Sequence, residues 1–238
     1  MKVEAGFVSL TEVTDPTEHR SYNEWHQLDH LPEQLTLAGI AWGQRWVSTP
    51  ACRAARAVST APFDDVHYLT LYLLAPPLDA TLEDFQLLAR DLSARGRFHR
   101  HRRTALTGAF EIVGTRASPR LRLSDAAVPY RPHLGIHVRL DEVVDPHDGW
   151  FTTEHLPALV ALEGVAGAWA FRRGPVAGGG AGQCVTVAWL DAPPLDVVAA
   201  IASLPDPPAG LVRPLLDGPF ASIEPHRWAW FDERVADL

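Results

Sequence analysis

"HLPEQLTLAGIA" (residues 30–41) returns 125 positions later as "HLPALVALEGVA" (residues 155–166). Each copy has a tryptophan five positions upstream of its histidine, at Trp25 and Trp150. Each copy also places a proline two positions after that histidine. Such self-similarity indicates that a structural unit is written twice in the chain.

Two further stretches repeat in the same order. Residues 6–16, "GFVSLTEVTDP", correspond to residues 135–146, "GIHVRLDEVVDP". Residues 68–79, "YLTLYLLAPPLD", correspond to residues 184–196, "CVTVAWLDAPPLD". The length differences fall where loops are expected, so the sequence predicts a tandem duplication.

The pattern inside the first copy predicts its secondary structure. Residues 5–14 alternate as a half-buried strand does. Ser21 and Glu24 have the spacing of a capping box, which predicts a helix from Tyr22, and Gly39 stands where a left-handed residue usually ends a helix. Two strands, an amphipathic helix within 81–94 and a fourth strand follow. The order is β-α-β-β-α-β.

The second copy predicts the same order, with its last strand within residues 218–231. This order is the ferredoxin-like plan, with helices on one face of an antiparallel sheet. We therefore predict an α+β fold with a first repeat at 1–115, a linker at 116–132 and a second repeat at 133–238. The two sheets are expected to pack face to face as an intramolecular pseudo-dimeric α/β barrel.

The stretch "YNEWHQLDHLPEQLTLAGIAWGQRW" (residues 22–46) resembles the dimeric α/β-barrel superfamily, and most closely its EthD-like members, in which a W-x(4)-H-x-P helix precedes a glycine and an aromatic strand. The resemblance covers both halves and implies the fold. That superfamily includes cofactor-free cyclases and isomerases, monooxygenases, haem-binding enzymes and proteins without known activity. A fold does not choose among them.

The helix carries candidate acid–base residues. Pro32 lacks an amide hydrogen, so the helix should kink or restart near His30, and His155 repeats the arrangement. Histidine suits proton transfer near neutral pH, and a carboxylate such as Asp29 would orient a ring or raise its pKa. His26 lies one turn before His30, where the second copy has Phe151. The predicted catalytic residues are His30, His26, His155 and Asp29; a structural role for each histidine stays open.

Aromatic residues around these histidines predict a flat, apolar binding site. Arg45 alternates with two tryptophans and is a candidate for holding a carboxylate or an enolate. Core packing of the tryptophans and a surface ion pair for the arginine are the alternatives. The predicted substrate-binding residues are Tyr22, Trp25, Trp42, Arg45, Trp46, Trp150 and Trp169.

Cofactor motifs are absent from the sequence. His26 and His30 share a helical face, but no H-E-x-x-H motif or cysteine ligand set is present, so no metal site is predicted. No cofactor is predicted either, and haem is the minority alternative. Five arginines between Arg95 and Arg103 form a basic cluster without an assigned role.

Composition limits the partners. The net charge of −8 argues against nucleic acid and anionic membranes. No apolar run approaches about 18 residues, and two cysteines form no framework, which predicts a cytoplasmic protein. Whether the pseudo-dimer forms a further homodimer stays open.

The predicted function is a cofactor-independent enzyme of small-molecule metabolism. It would use histidine acid–base chemistry, of cyclase, isomerase, dehydratase or lyase type, on an aromatic or polyketide-like substrate in the cleft between the repeats. The alternatives are a cofactor-free or haem-dependent monooxygenase and a small-ligand-binding protein without chemistry.

Overall fold

The structure is a computed structural model that describes residues 2–143, 149–173 and 182–224. Its strands are β1 (Ala5–Val13), β2 (Ile40–Val47), β3 (Val58–Ser59), β4 (Tyr68–Leu74), β5 (Arg102–Ala117), β6 (Gly135–Val143), β7 (Val165–Arg173), β8 (Gly182–Leu190) and β9 (Val212–Ser222). Its helices are α1 (His19–Trp25), α2 (Leu31–Gln34), α3 (Pro50–Ala54), α4 (Leu78–Ala94), α5 (Leu156–Ala161) and α6 (Pro194–Ala202). The fold is mixed α+β, and the strand pairs whose register is known are antiparallel.

The chain divides into two compact units. Unit 1 comprises residues 1–45, 66–109 and 223–238, and unit 2 comprises residues 46–65 and 110–222. In unit 1 the strand order is β2, β4, β1 and the first part of β5. Strand β4 is buried along its whole length, and α4 contributes Phe85 to the core formed with Leu31, Tyr72 and Leu74.

In unit 2 the second part of β5 is followed by β7, β8, β6, β9 and β3. Strand β6 pairs with β8 over its whole length, from Gly135 opposite Leu190 to Val143 opposite Gly182. Helices α5 and α6 pack apolar residues such as Leu159 into this unit's core. The end of the predicted last strand, from residue 225 onward, lies outside the described residues.

A π-helical segment connects α1 to α2 over His26–His30, and another precedes α5 over Phe151–His155. In the first, the amide of Leu31 donates to the carbonyl of His26, five residues back. Pro32 lies in the first turn of the helix that follows, where its missing amide costs no hydrogen bond. The predicted restart of the helix is therefore present, and its form is a widened turn; such turns occur frequently at functional sites.

The predicted capping box is wrong. The first helix begins at His19, after a 3-10 turn at Pro16–Glu18 that the Asp15 side chain caps by accepting from the amide of Thr17. Ser21 instead donates its hydroxyl to the carbonyl of Glu18. The aspartate, four residues before the helix, provides the cap because the 3-10 turn extends the element toward the N-terminus.

Gly39 does not have the predicted left-handed conformation, since its φ lies outside the positive range and α2 already ends at Gln34. It is needed for space instead, because a Cβ atom there would lie 2.0 Å from Oγ1 of Thr81. In the second half, Gly164 does have a positive φ of 82°. The two glycines therefore serve different physical needs.

Two connections contain more structure than predicted. The long loop after β2 holds α3 and the short strand β3, and β3 pairs with β9 from Val58 opposite Asp217. In the predicted linker, β5 continues to Ala117 and a 3-10 segment spans Asp125–Tyr130. The sequences of the loop after β2 and of the predicted linker show neither the alternation of a strand nor the periodicity of a helix.

Candidate active site

The helical layer of unit 1 covers a cavity of about 230 Å³. Its apolar walls are mainly aromatic, and it reaches from the π-helical segment down to the strands. Six aromatic side chains line it, namely Phe7, Tyr22, Trp25, Tyr72, Phe85 and Phe98. A cavity of this size is below the roughly 300–1,000 Å³ of drug-sized ligand sites, so it suits a compound of one or two rings.

Both predicted histidines of the first half line this cavity. Because His26 and His30 are one helical turn apart, their rings meet edge to face with centroids 4.9 Å apart. Nε2 of His26 lies 3.5 Å from Oγ1 of Thr70, at the outer limit of a hydrogen bond. The arrangement brings two imidazoles to one wall of the cavity.

Trp25 fixes the ring of His30. The two rings stack with centroids 4.8 Å apart and planes 22° apart. The indole Nε1 of Trp25 donates a 2.8 Å hydrogen bond to the carbonyl of Arg97, which orients the tryptophan in turn. The spacing W-x(4)-H thus specifies a stacked pair, because residues five apart overlap where the helix widens to π geometry.

Both imidazoles are neutral at pH 7. Burial lowers the pKa of His26 well below 6.5, and the charge of Arg45 is the next cause. Burial also lowers the pKa of His30 to about 4, with Arg102 as the next cause. Neutral imidazole is the form that accepts a proton.

Arg102 is the one charged residue among those that line the cavity. Its guanidinium carbon lies 4.5 Å from the ring centroid of Phe98 and 5.9 Å from that of Trp25. The sequence placed this residue only within the basic cluster. In the structure the cluster separates, since Arg95 binds Asp91, Arg97 binds Asp29 and Glu33, and Arg103 binds Glu12.

Asp29 therefore has a partner other than a histidine. Its carboxylate forms an ion pair with Arg97 and does not line the cavity. It raises the pKa of His30 only as a secondary influence, against the larger effects of burial and of Arg102. Its position in the sequence next to His30 points its side chain to a different face of the helix.

Arg45 lies beneath the site. It is fully buried, donates from Nη2 to Oδ1 of Asn23 at 3.0 Å, and lies 5.3 Å from the ring centroid of Tyr22 and 5.5 Å from that of Tyr68. The residue is absent from the cavity lining. Its charge reaches the site through its effect on the pKa of His26.

Three of the predicted tryptophans lie elsewhere. Trp42 is half-buried, whereas Trp46 and Trp169 are fully buried, and none of them lines the cavity that contains His26 and His30. Trp169 donates from Nε1 to the carbonyl of Asp125 at 3.1 Å and meets Trp189 edge to face. The hydrogen bond to Asp125 connects the 3-10 segment to β7.

His155 lines a second cavity, of about 360 Å³, which is built from unit 2 alone. Its ring stacks on Trp150 with centroids 4.6 Å apart and planes 17° apart, as His30 does on Trp25. Burial lowers the pKa of His155 to about 3. The three predicted histidines thus line cavities inside single compact units, His26 and His30 in unit 1 and His155 in unit 2.

The sequence reasoning missed the polar residues of this second cavity. His137 and Arg139 line it from β6, and Asp217 lines it from β9. Every second residue of β6 from His137 to Asp141 is polar, and this alternation is a signal for one polar strand face. In the first half the same face carries Phe7, Ser9 and Thr11, so the duplicated motif did not reveal it.

The fit of a metal ion or a haem depends on the arrangement of ligand side chains and on cavity volume. In the described part of the chain, no group of three or more histidine, cysteine, aspartate or glutamate side chains is arranged to hold a metal ion. Cavities of about 230 and 360 Å³ lie below or at the lower end of the range for drug-sized ligands, and a porphyrin is larger than such ligands. The volumes of these two cavities do not fit a whole macrocycle.

No helix within 2–143, 149–173 or 182–224 combines the length and apolarity that crossing a membrane requires.

Comparisons with known proteins define the fold. No family model matches the chain, and no curated protein matches it significantly. A chlorite dismutase-like protein of known structure superposes with a TM-score of 0.53 at 9% identity, over 100% of both chains. A mutant chlorite dismutase from Candidatus Nitrospira defluvii, in complex with cyanide, gives 0.51 at 13% identity, over 100% of this chain and 95% of the other. The chain therefore shares the overall fold of these two solved structures.

Proposed function

We propose that the chain is a tandem duplication of an EthD-like unit and a cofactor-independent enzyme that moves protons on a small aromatic substrate. The repeats would be residues 1–115 and 133–238, with 116–132 as the linker. Matching strand registers support the duplication: Ser9 lies opposite Thr70 in β1 and β4, and Arg139 lies opposite Thr186 in β6 and β8. All four residues line the cavity of their own unit.

One observation carries the enzymatic proposal. Two neutral imidazoles, His26 and His30, share a cavity with aromatic walls and a single cation, Arg102. Neutral imidazole accepts a proton, flat walls hold a ring, and a guanidinium stabilises an oxyanion. These are the groups that abstraction of a proton next to a carbonyl requires.

The proposed step assigns each group a role. His30 takes a proton from the carbon next to a carbonyl, the electron pair moves to the carbonyl oxygen, and Arg102 stabilises the resulting enolate. His26, held near Thr70, contacts the substrate beside the base. An enolate is an intermediate in cyclisation, isomerisation, dehydration and lyase cleavage of carbonyl compounds, and its stabilisation is the step proposed for this cavity.

Arg102 also couples substrate binding to base strength. In the empty cavity its charge lowers the pKa of His30. A carboxylate or an enolate that pairs with Arg102 offsets that charge and raises the pKa toward the range in which imidazole is an effective base. The base is therefore strongest when an anionic substrate is bound.

The experiment follows deuterium transfer from solvent. Phenylpyruvate has one aromatic ring, one carboxylate and an enolisable carbon, and NMR in heavy water reports the loss of its α-protons. We expect the protein to accelerate this exchange above the buffer rate in the absence of added metal, with no oxygen consumption. Exchange no faster than in buffer, for phenylpyruvate and also for two-ring aryl keto acids, would contradict the proposal. Activity that depends on a haem, detected by its absorbance, would contradict it as well.

A further inference from the structure

The cavity of unit 2 contains charged groups that the proton-transfer step in unit 1 does not use. Asp217, Arg139 and His137 line it together with His155, and the exposed carboxylate of Asp206 stands at its rim. The rest of the wall is mostly apolar and includes Leu159, Ile201 and several prolines. A concave apolar site with a few convergent polar groups is the usual form of a small-molecule site.

The charged groups form one connected network. Oδ2 of Asp217 lies 3.3 Å from Nη1 of Arg139, and Oδ1 of Asp217 lies 3.3 Å from Nε2 of His137. Nε of Arg139 donates to Oδ2 of Asp141 at 2.8 Å. Asp141 is fully buried, so it is a fixed counter-charge for Arg139 beneath the cavity floor.

The network leaves the cavity negatively charged. Arg139 is the single guanidinium in the wall, and Asp141 already neutralises it. Asp217 and Asp206 therefore provide negative charge to the cavity that no further cation of its wall balances. The two histidines add no positive charge, since burial lowers the pKa of His137 to about 4 and that of His155 to about 3.

The charge of this cavity is opposite in sign to the charge of the first cavity. In unit 1 the one charged wall residue is Arg102, and the strand positions that correspond to His137, Arg139 and Asp141 carry Phe7, Ser9 and Thr11. A single substrate class does not suit both cavities, because each sign of charge repels what the other attracts.

We propose that the cavity of unit 2 is a second binding site, which takes a small organic cation: a protonated amine on a compact apolar body. The ammonium group binds Asp217 inside the cavity and is attracted by Asp206 at the rim. The apolar body lies against the leucine, isoleucine and proline wall. The ring of His155, which stacks on Trp150, lines one side of the cavity without adding a positive charge that would repel the ammonium group.

The test uses three probes of nearly equal shape and different charge: benzylammonium, benzyl alcohol and benzoate. Calorimetric titration of the full chain at pH 7 should show benzylammonium binding about tenfold more tightly than benzyl alcohol. Benzoate should bind more weakly than either. Equal binding of all three, tighter binding of benzoate, or no binding of benzylammonium at millimolar concentration overturns the proposal.

Substitutions in the cavity wall test where benzylammonium binds. Asp217→Asn keeps the shape of the side chain and removes its charge, and we expect it to weaken benzylammonium binding about tenfold. Asp206→Lys reverses an exposed charge at the rim, so it tests the site without disturbing the buried network and should also weaken binding. The matched control is Asp196→Asn, which removes an exposed carboxylate from α6 away from the cavity wall and should leave binding unchanged. Unaltered binding in both Asp206→Lys and a folded Asp217→Asn protein overturns the assignment.

Discussion

The imidazole of His30 stacks on the indole of Trp25 with ring centroids 4.8 Å apart, and the same pair recurs as His155 on Trp150 at 4.6 Å. In both places the histidine ends a π-helical segment that a proline-bearing helix follows. The stack limits the ring to one orientation at the cavity wall. A proton acceptor held in this way needs no reorientation when the substrate arrives.

Replacing Trp25 by leucine should remove this constraint. The variant loses the stacked contact and the hydrogen bond to the carbonyl of Arg97. An aromatic pair is worth roughly 0.5–1.5 kcal/mol, so we expect the deuterium exchange rate to fall about two- to tenfold. Trp150→Leu is the matched control in unit 2 and should leave exchange unchanged; an equal loss in both variants would indicate general destabilisation.

Replacing Arg102 by glutamine should separate anion binding from base strength. Without the guanidinium the pKa of His30 should rise from about 4, because the charge of Arg102 is the largest cause of the shift after burial. NMR titration of the ring measures this rise. Binding of phenylpyruvate should weaken by about tenfold or more, as expected for loss of a charge-assisted contact. Arg103→Gln, which removes a residue bound to Glu12 outside the cavity, serves as the control.

The buried histidines should make stability decrease on acidification. The unfolded chain binds protons at histidine below a pH of about 6.5, whereas His155 stays neutral in the folded protein down to about pH 3. Between these values the unfolded state binds more protons, which costs the fold up to about 1.4 kcal/mol per pH unit for each such histidine. Asp217 acts in the opposite direction: its raised pKa of about 6 makes its contribution fall as pH rises from about 4 to 6.

Urea midpoints between pH 4 and 7 measure this balance. The midpoint of His155→Gln should depend less on pH than that of the unaltered protein, because one proton-binding difference has been removed. The same slope in both proteins would show that the pKa of His155 does not differ between the folded and the unfolded chain.

Gly43 lies against a wall residue of the first cavity, and its replacement by alanine should disturb that wall. The added Cβ atom would lie 2.6 Å from Cδ1 of Tyr72 and 3.2 Å from Cδ1 of Leu31. Overpacking of this kind costs roughly 1–3 kcal/mol, and the ring of Tyr72 has to move. Thermal unfolding should show the loss of stability, while Gly149→Ala, whose nearest neighbour would be 3.6 Å away, should not.

Much of the fold could be predicted because its signals are local and repeated. Strand alternation, helical periodicity and the paired H-x-P motifs placed β1, β4 and the helix that contains His30. The cap at Asp15 was missed because a 3-10 turn does not have helical spacing. The position of Asp29 in the sequence predicted an interaction with the histidines. In the structure its carboxylate pairs with Arg97, 68 residues later in the chain.

The site could be predicted only in part, because the role of a strand residue depends on which face of the sheet its side chain occupies. Arg45 and Arg102 are both on strands, yet Arg45 is buried among tyrosines and Arg102 lines the cavity. Which arginine meets the substrate depends on the register between distant strands, which the sequence does not state. The alternation in β6 is a signal for one polar strand face, but the first copy does not share it, so the repeated motif contains no trace of it.

The central claim is that His30 is the base. The most direct measurement compares deuterium exchange into phenylpyruvate by the unaltered protein, His30→Gln and His155→Gln, each shown to be folded by circular dichroism. Loss of a general base typically lowers the rate by about 10²–10⁴-fold, so His30→Gln should fall toward the buffer rate. His155→Gln, which alters the other cavity, should keep its activity. Retained exchange in a folded His30→Gln protein would contradict the account.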